Sequence, residues 1–212
     1  MYRDIEILRY SGGKIHIPYV TTSKGVDLIR EAKKNNLDIT ASVSLAHITF
    51  SEKDIPEFDT NYKLIPPLRS ESDLNSLKEG LVDGTLDYLT SMHEPFDVDN
   101  KKIVFDNASS GSIGLESMFG LMSNQFTLEK TIDILTRKKI IFEVDDHPIE
   151  IGSLADLSLF NPDKNYNFSE NHILSTSKNC AFIDSKHKGI VYGSINGCLL
   201  YTSDAADEHS CG

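Results

Sequence analysis

Two hydrophobic periods alternate along the first hundred residues. Ile5, Ile7 and Leu8 in RDIEILRY (3–10) predict a short amphipathic helix, and SGG (11–13) stops it as glycine does after a helix. KIHIPYV (14–20) is β-branched and bounded by turn residues, so it predicts a strand. Thr22 or Ser23 can cap the following helix, KGVDLIREAKKNN. Its inner face is Val26, Ile29 and Ala32, and Lys33 and Lys34 sit near its negative end. DITASVSL (38–45) is a second strand. A long polar connection with three prolines (51–72) leads into a Ser-capped, Gly-stopped helix over 70–84, and TLDYLTSM (85–92) is a third strand.

Strand, helix, strand, loop, helix, strand is the rhythm of a parallel sheet, open or closed into a barrel. The predicted fold class is α/β. In such folds the chemistry gathers at the C-terminal ends of the strands. Those ends are Tyr19, the stretch Ser44 to His47, and Met92 to Glu94. Alternation from an inward Tyr19 would place Ile17 and Ile15 inward and His16 outward against the helices.

The pattern changes after residue 100. A small-residue loop runs into a helix over 106–122, and a second helix follows over 127–139. Residues 149–168 predict strand, turn, strand, and 189–197 predicts a strand with a hairpin-like Asn-Gly end. This divides the chain at about residue 146, with a β-rich piece over 147–197. The tail CLLYTSDAADEHSCG (198–212) shares no logic with what precedes it. In-frame translation of a sequencing adaptor yields such a string, so 198–212 is expected not to be native.

Composition narrows the function more than the fold. The net charge of −11 argues against nucleic acid or an anionic membrane surface as a partner. No apolar run is long enough to span a bilayer. The opening MYRDIEILRY is charged throughout, unlike a secretory or transit leader. No cysteine spacing reads as a disulfide framework, which points to a reducing cytoplasm.

Several segments, in order, carry a resemblance. RDIEILRYSGGKIHI, VTTSKGVDLIREAKK, DITASV, FDTNYKLIPPLRSESDLNSLKEGLVDGTLDYLTS, GSIGLES and ADLSLFNP together resemble the C-terminal half of a dihydroorotase, of the amidohydrolase-superfamily type related to allantoinases. The resemblance implies the C-terminal part of a (β/α)8 barrel over 1–146 and part of a small β-sandwich over 147–197. It also implies a zinc-dependent cyclic amide hydrolase of de novo pyrimidine synthesis, which interconverts N-carbamoyl-aspartate and dihydroorotate.

Carried over position by position, the resemblance implies lost chemistry. Tyr19 stands where the family has a zinc-ligating His, and Met92 where it has the metal-binding, proton-shuttling Asp. Phe96 replaces a substrate-contacting His and Ile65 a substrate-contacting Asn. Neither phenol nor thioether belongs to the usual zinc donor set. Four polar roles taken by larger, mostly apolar side chains suggest a filled pocket. Ser110 and Gly111 are the substrate-side positions that persist. His93, His47 and Arg69 are weaker candidates, and for Arg69 an ion pair that fixes its loop is the preferred reading. Glu94 reads as a solvated loop acid, and His147, His172 and His187 as turn residues without ligand spacing.

Two functions follow. One is an inactive dihydroorotase-like scaffold that binds no cofactor and partners with aspartate transcarbamoylase or with itself. The alternative is an active dihydroorotase or related cyclic amidase with an altered metal site. Residues 1–212 alone would expose open sheet edges. They are expected to aggregate, and a sharp cooperative melt of a monomer would refute this.

Overall fold

The structure is a computed structural model that describes residues 1–137, 144 and 148–202. Its first part runs α1 (Tyr2–Ser11), β1 (Ile15–Ile17), α2 (Ser23–Lys34), β2 (Ile39–Ser44), α3 (Leu45–Thr49), α4 (Glu71–Val82) and β3 (Tyr88–Thr90). Next come α5 (Val98–Lys101), α6 (Met118–Gln125) and α7 (Leu128–Thr136). The three strands form a parallel sheet in the order β1-β2-β3.

Capping sets the helix starts where the sequence places them. The Thr22 hydroxyl accepts the Gly25 N–H at the head of α2, and Ser70 does the same for Asp73 at the head of α4. Alternation on β2 then fixes the two faces of the sheet. Ile39, Ala41 and Val43 are buried with Val26, Ile29 and Ala32 of α2 and with Leu77 and Leu81 of α4. Thr40, Ser42 and Ser44 therefore face the other way.

One expectation reverses here. His16 pairs in register with Thr40, so it lies on the face away from the helices and not against them. Its Nδ1 is 2.9 Å from Thr40 Oγ1, and its Nε2 is 3.0 Å from Tyr88 Oη and 3.2 Å from Ser42 Oγ. Its ring also stacks on Tyr88. The physical reason is at Tyr19, whose φ is 52°. The strand ends at Ile17, and a left-handed residue cannot carry the alternation back across Pro18.

The second part is an antiparallel sheet of β4 (Asp156–Asn167), β5 (Lys186–Asn196) and β6 (Leu199–Thr202). Where the sequence predicts strand, turn, strand over 149–168, a single bulged strand is found. The register shifts between Asn161 and Asn165 without reversing. Pro162 has no N–H to give the ladder, and Asn161 Oδ1 takes the Asp163 N–H, so the strand bulges there. The Asn196-Gly197 turn joins β5 to β6, which covers residues 199–202 of the tail. The division at 146/147, His147 and residues 203–212 lie outside the described residues.

The two parts meet at His187 on β5, which is 1% exposed. It packs so closely beneath Gly120 of α6 that a Cβ on Gly120 would lie 2.8 Å from the His187 Cβ. The Phe168 ring lies 4.7 Å away, and among the described residues the imidazole's hydrogen-bond partners are Ser185 Oγ and Tyr166 Oη. Burial pulls its pKa down to about 4, with the charge of His172 adding to the fall. Above pH 6.5 the ring is neutral in both folded and unfolded chains. Between 6.5 and 4 the unfolded chain takes up a proton that the folded one refuses, so stability falls with pH. We expect the complete protein to lose up to about 3 kcal/mol over that window, and His187→Phe to flatten the loss in pH-dependent urea melts.

Candidate functional site

Tyr19 and Met92 sit at the C-terminal edge of the parallel sheet, with β2 between their strands. Tyr19 follows β1 and Met92 follows β3, and both adopt positive φ, 52° and 48°. The Val20 N–H still pairs with the Ser42 carbonyl at 2.9 Å, so the Tyr19 turn is pinned to the end of β2. The Met92 N–H donates to Thr90 Oγ1 at 3.1 Å, and its side chain is 4% exposed. These two positive-φ turns carry a half-buried phenol and a buried thioether.

The other named positions divide into those that join the site and those that do not. Phe96 lies directly on Gly111, where a Cβ would come within 2.6 Å of both Phe96 Cε2 and Glu94 Oε2. Ser110 precedes Gly111 in the same loop and is half-buried. Ile65 is 70% exposed among the described residues. Its neighbours Leu64 and Leu68 anchor that loop in the core, which turns Ile65 to solvent. The guanidinium of Arg69 makes no ion pair among the described residues. Its backbone carbonyl holds the loop, accepting from Glu52 N at 2.8 Å.

The histidines are occupied. His47 is buried, with Nδ1 2.6 Å from Ser44 Oγ and Nε2 donating to the Pro66 carbonyl at 3.0 Å. Burial lowers its pKa, which keeps it neutral as a clamp between the end of β2 and the Pro-Pro loop. His93 turns toward the 114–116 turn. Its Nδ1 accepts from the N–H groups of Gly114 and Leu115 and lies 3.9 Å from Glu116 Oε2. Glu116 Oε1 in turn accepts from Leu174 N and Ser175 N, at 3.1 Å each.

Three features were not legible in the sequence. Glu94 is half-buried over Gly111 and not a solvated acid, and burial raises its pKa. Asn179 ties three segments together. Its Oδ1 accepts from Phe96 N at 3.1 Å, and its Nδ2 donates to the carbonyls of Glu94 (2.9 Å) and Gly111 (3.3 Å). Lys101 is 5% exposed, with its ammonium on three backbone carbonyls. Phe96, Lys101 and Asn179 also wall a cleft of about 800 Å³. No spacing rule marks a buried Lys in a Lys-Lys pair or an Asn before a Cys. That neighbour, Cys180, is buried and its thiol pushed up to about 11, so it is no nucleophile.

Among the described residues no three His, Cys, Asp or Glu side chains cluster to hold a metal. Tyr19 and Met92 carry a phenol and a thioether, and zinc takes imidazole, thiolate or carboxylate. The described residues do not by themselves make a zinc site.

The fold defines the class first. D-hydantoinase matches with a TM-score of 0.83 at 22% identity, over 94% of this chain and 47% of that one. L-hydantoinase from Arthrobacter aurescens matches at 0.82 and 21%, over 93% and 47%. The inactive dihydroorotase-like domain of the Chaetomium thermophilum CAD-like multifunctional protein matches at 0.65 and 18%, over 93% and 53%. The chain has part of the amidohydrolase-type (β/α)8 barrel and of its accompanying β-structure. Sequence comparison narrows this further. The chain is 34% identical over 209 residues to the dihydroorotase of Caldanaerobacter subterraneus subsp. tengcongensis, covering 94% of this chain and 48% of that protein. It is 34% identical over 207 residues to that of Listeria monocytogenes, covering 94% and 49%. The chain is similar to dihydroorotases over nearly its whole length and spans about half the length of the curated relatives it matches. No protein-family profile matches it.

Gly111 is the most constrained residue of the site, because its φ is 145° and two side chains occupy the place of a Cβ. Gly111→Ala should destabilise the complete protein by about 1–3 kcal/mol from backbone strain alone. An unchanged urea midpoint would show that the loop does not hold this conformation.

Proposed function

We propose that this chain is part of a dihydroorotase-like protein that has lost amide hydrolysis and serves as a scaffold or partner subunit. The observation that carries the reading is the side chains at the strand-end turns of Tyr19 and Met92. A phenol and a thioether on these positive-φ turns can neither bind zinc in the usual way nor shuttle a proton. Phe96 seated on Gly111 removes a polar contact on the substrate side as well. Apolar replacements are what relieves a pocket of unpaired polar groups once its metal is gone.

As a scaffold, its partner is proposed to be aspartate transcarbamoylase or a second copy of itself. No helix among the described residues is long and apolar enough to cross a membrane. The net charge of −11 leaves nucleic acid a poor partner.

The test is direct. The complete protein, purified without chelator, should contain less than stoichiometric zinc and should form no N-carbamoyl-aspartate from dihydroorotate above a metal-free control. Added zinc should not change that. Turnover above the control would overturn the proposal in favour of an active cyclic amidase with an altered site.

A further inference from the structure

A buried ammonium is costly unless each of its three protons finds an acceptor. Lys101, at the end of α5, meets that condition with carbonyls from two separate loops. Its Nζ lies 2.6 Å from Thr60 O, 2.9 Å from Ser109 O and 2.9 Å from Gly111 O. Thr60 belongs to the long connection before α4, and its hydroxyl returns the contact by donating to the Lys101 carbonyl at 2.7 Å. Ser109 and Gly111 bracket Ser110 in the substrate-side loop.

Around this socket the backbone is closed off. The Gly111 N–H donates to the Lys63 carbonyl at 2.8 Å, and the Ser109 N–H to the Asn100 carbonyl at 3.0 Å. Lys63 itself is engaged elsewhere, donating to the carbonyls of Phe105 and Asp106. The charged groups facing Lys101 are Asp59 and Lys63 on the long connection and Glu94 after β3.

From this geometry we infer that Lys101 is a positioning residue, an internal cation that holds the Ser109–Gly111 loop in its pocket conformation in the absence of any metal or substrate. Three carbonyls converging on one point would repel one another without a positive charge between them. A compact ammonium fills that point, whereas a planar guanidinium does not match three convergent acceptors. The inference is independent of whether the pocket turns over substrate.

Burial lowers the pKa of Lys101 to about 8, while Asp59 and Glu94 act to raise it and Lys63 to lower it. The three carbonyl contacts hold the charged form against that burial cost.

Amide hydrogen exchange in the complete protein tests this. In Lys101→Met, exchange at Ser109 and Gly111 should rise roughly tenfold or more relative to Val43 in the sheet, the loss expected for charged hydrogen bonds. Lys101→Arg should fail to restore protection. In Lys101→Ala, added ethylammonium should restore it, because the small cation can enter the vacated socket. Lys101→Met exchange within about twofold of wild type, or no recovery of protection in Lys101→Ala with ethylammonium, overturns the inference.

Discussion

The alternation of β2 sets the rest of this structure. Ile39, Ala41 and Val43 are buried against α2 and α4, so Thr40, Ser42 and Ser44 have no choice of face. A slip of one residue would turn three apolar side chains away from the helices and point three hydroxyls into them. With β2 fixed, β1 and β3 must pair in the register seen, and their C-terminal ends must fall at one edge of the sheet. Tyr19, His47 and Met92 share that edge for this reason. The same constraint gathers His16, Thr40, Ser42 and Tyr88 on the opposite face, where they hydrogen-bond to one another.

Elements with strong periodicity or a good cap were legible in the sequence. The helix starting at Thr22, the one starting at Ser70 and the strand after Leu37 fall where pattern and capping place them. What was not legible depended on a single backbone angle or on distant partners. The direction of His16 failed because alternation was counted across Tyr19, whose left-handed conformation no sequence rule demands of a tyrosine. The bulge at Asn161–Asp163 was read as a turn because Asn-Pro-Asp suits both. Lys101 and Asn179 were missed because their roles depend on carbonyls dozens of residues away, at Thr60 and Glu94.

The site separates two properties that an enzyme normally holds together. One is shape, and shape here rests on groups that never needed a metal. Asn179 bridges the 94–96 and 111 segments, Glu116 caps the 174–175 segment, and His47 clamps the Pro66 loop. The other is donor chemistry at the strand ends, where imidazole, carboxylate and amide give way to Tyr19, Met92, Phe96 and Ile65 under the family resemblance. These replacements do not share one physical effect. Met92 is buried and Phe96 covers Gly111, but Ile65 is solvent-facing.

That difference bears on how such a site can change. A buried carboxylate or imidazole without its metal is an unpaired polar group, and a thioether at Met92 removes that penalty while leaving the turn in place. The Lys101 socket, the Asn179 bridge and the His47 clamp are closed by carbonyl and amide partners within the chain, so the loop backbone does not depend on the side chains at Tyr19 and Met92.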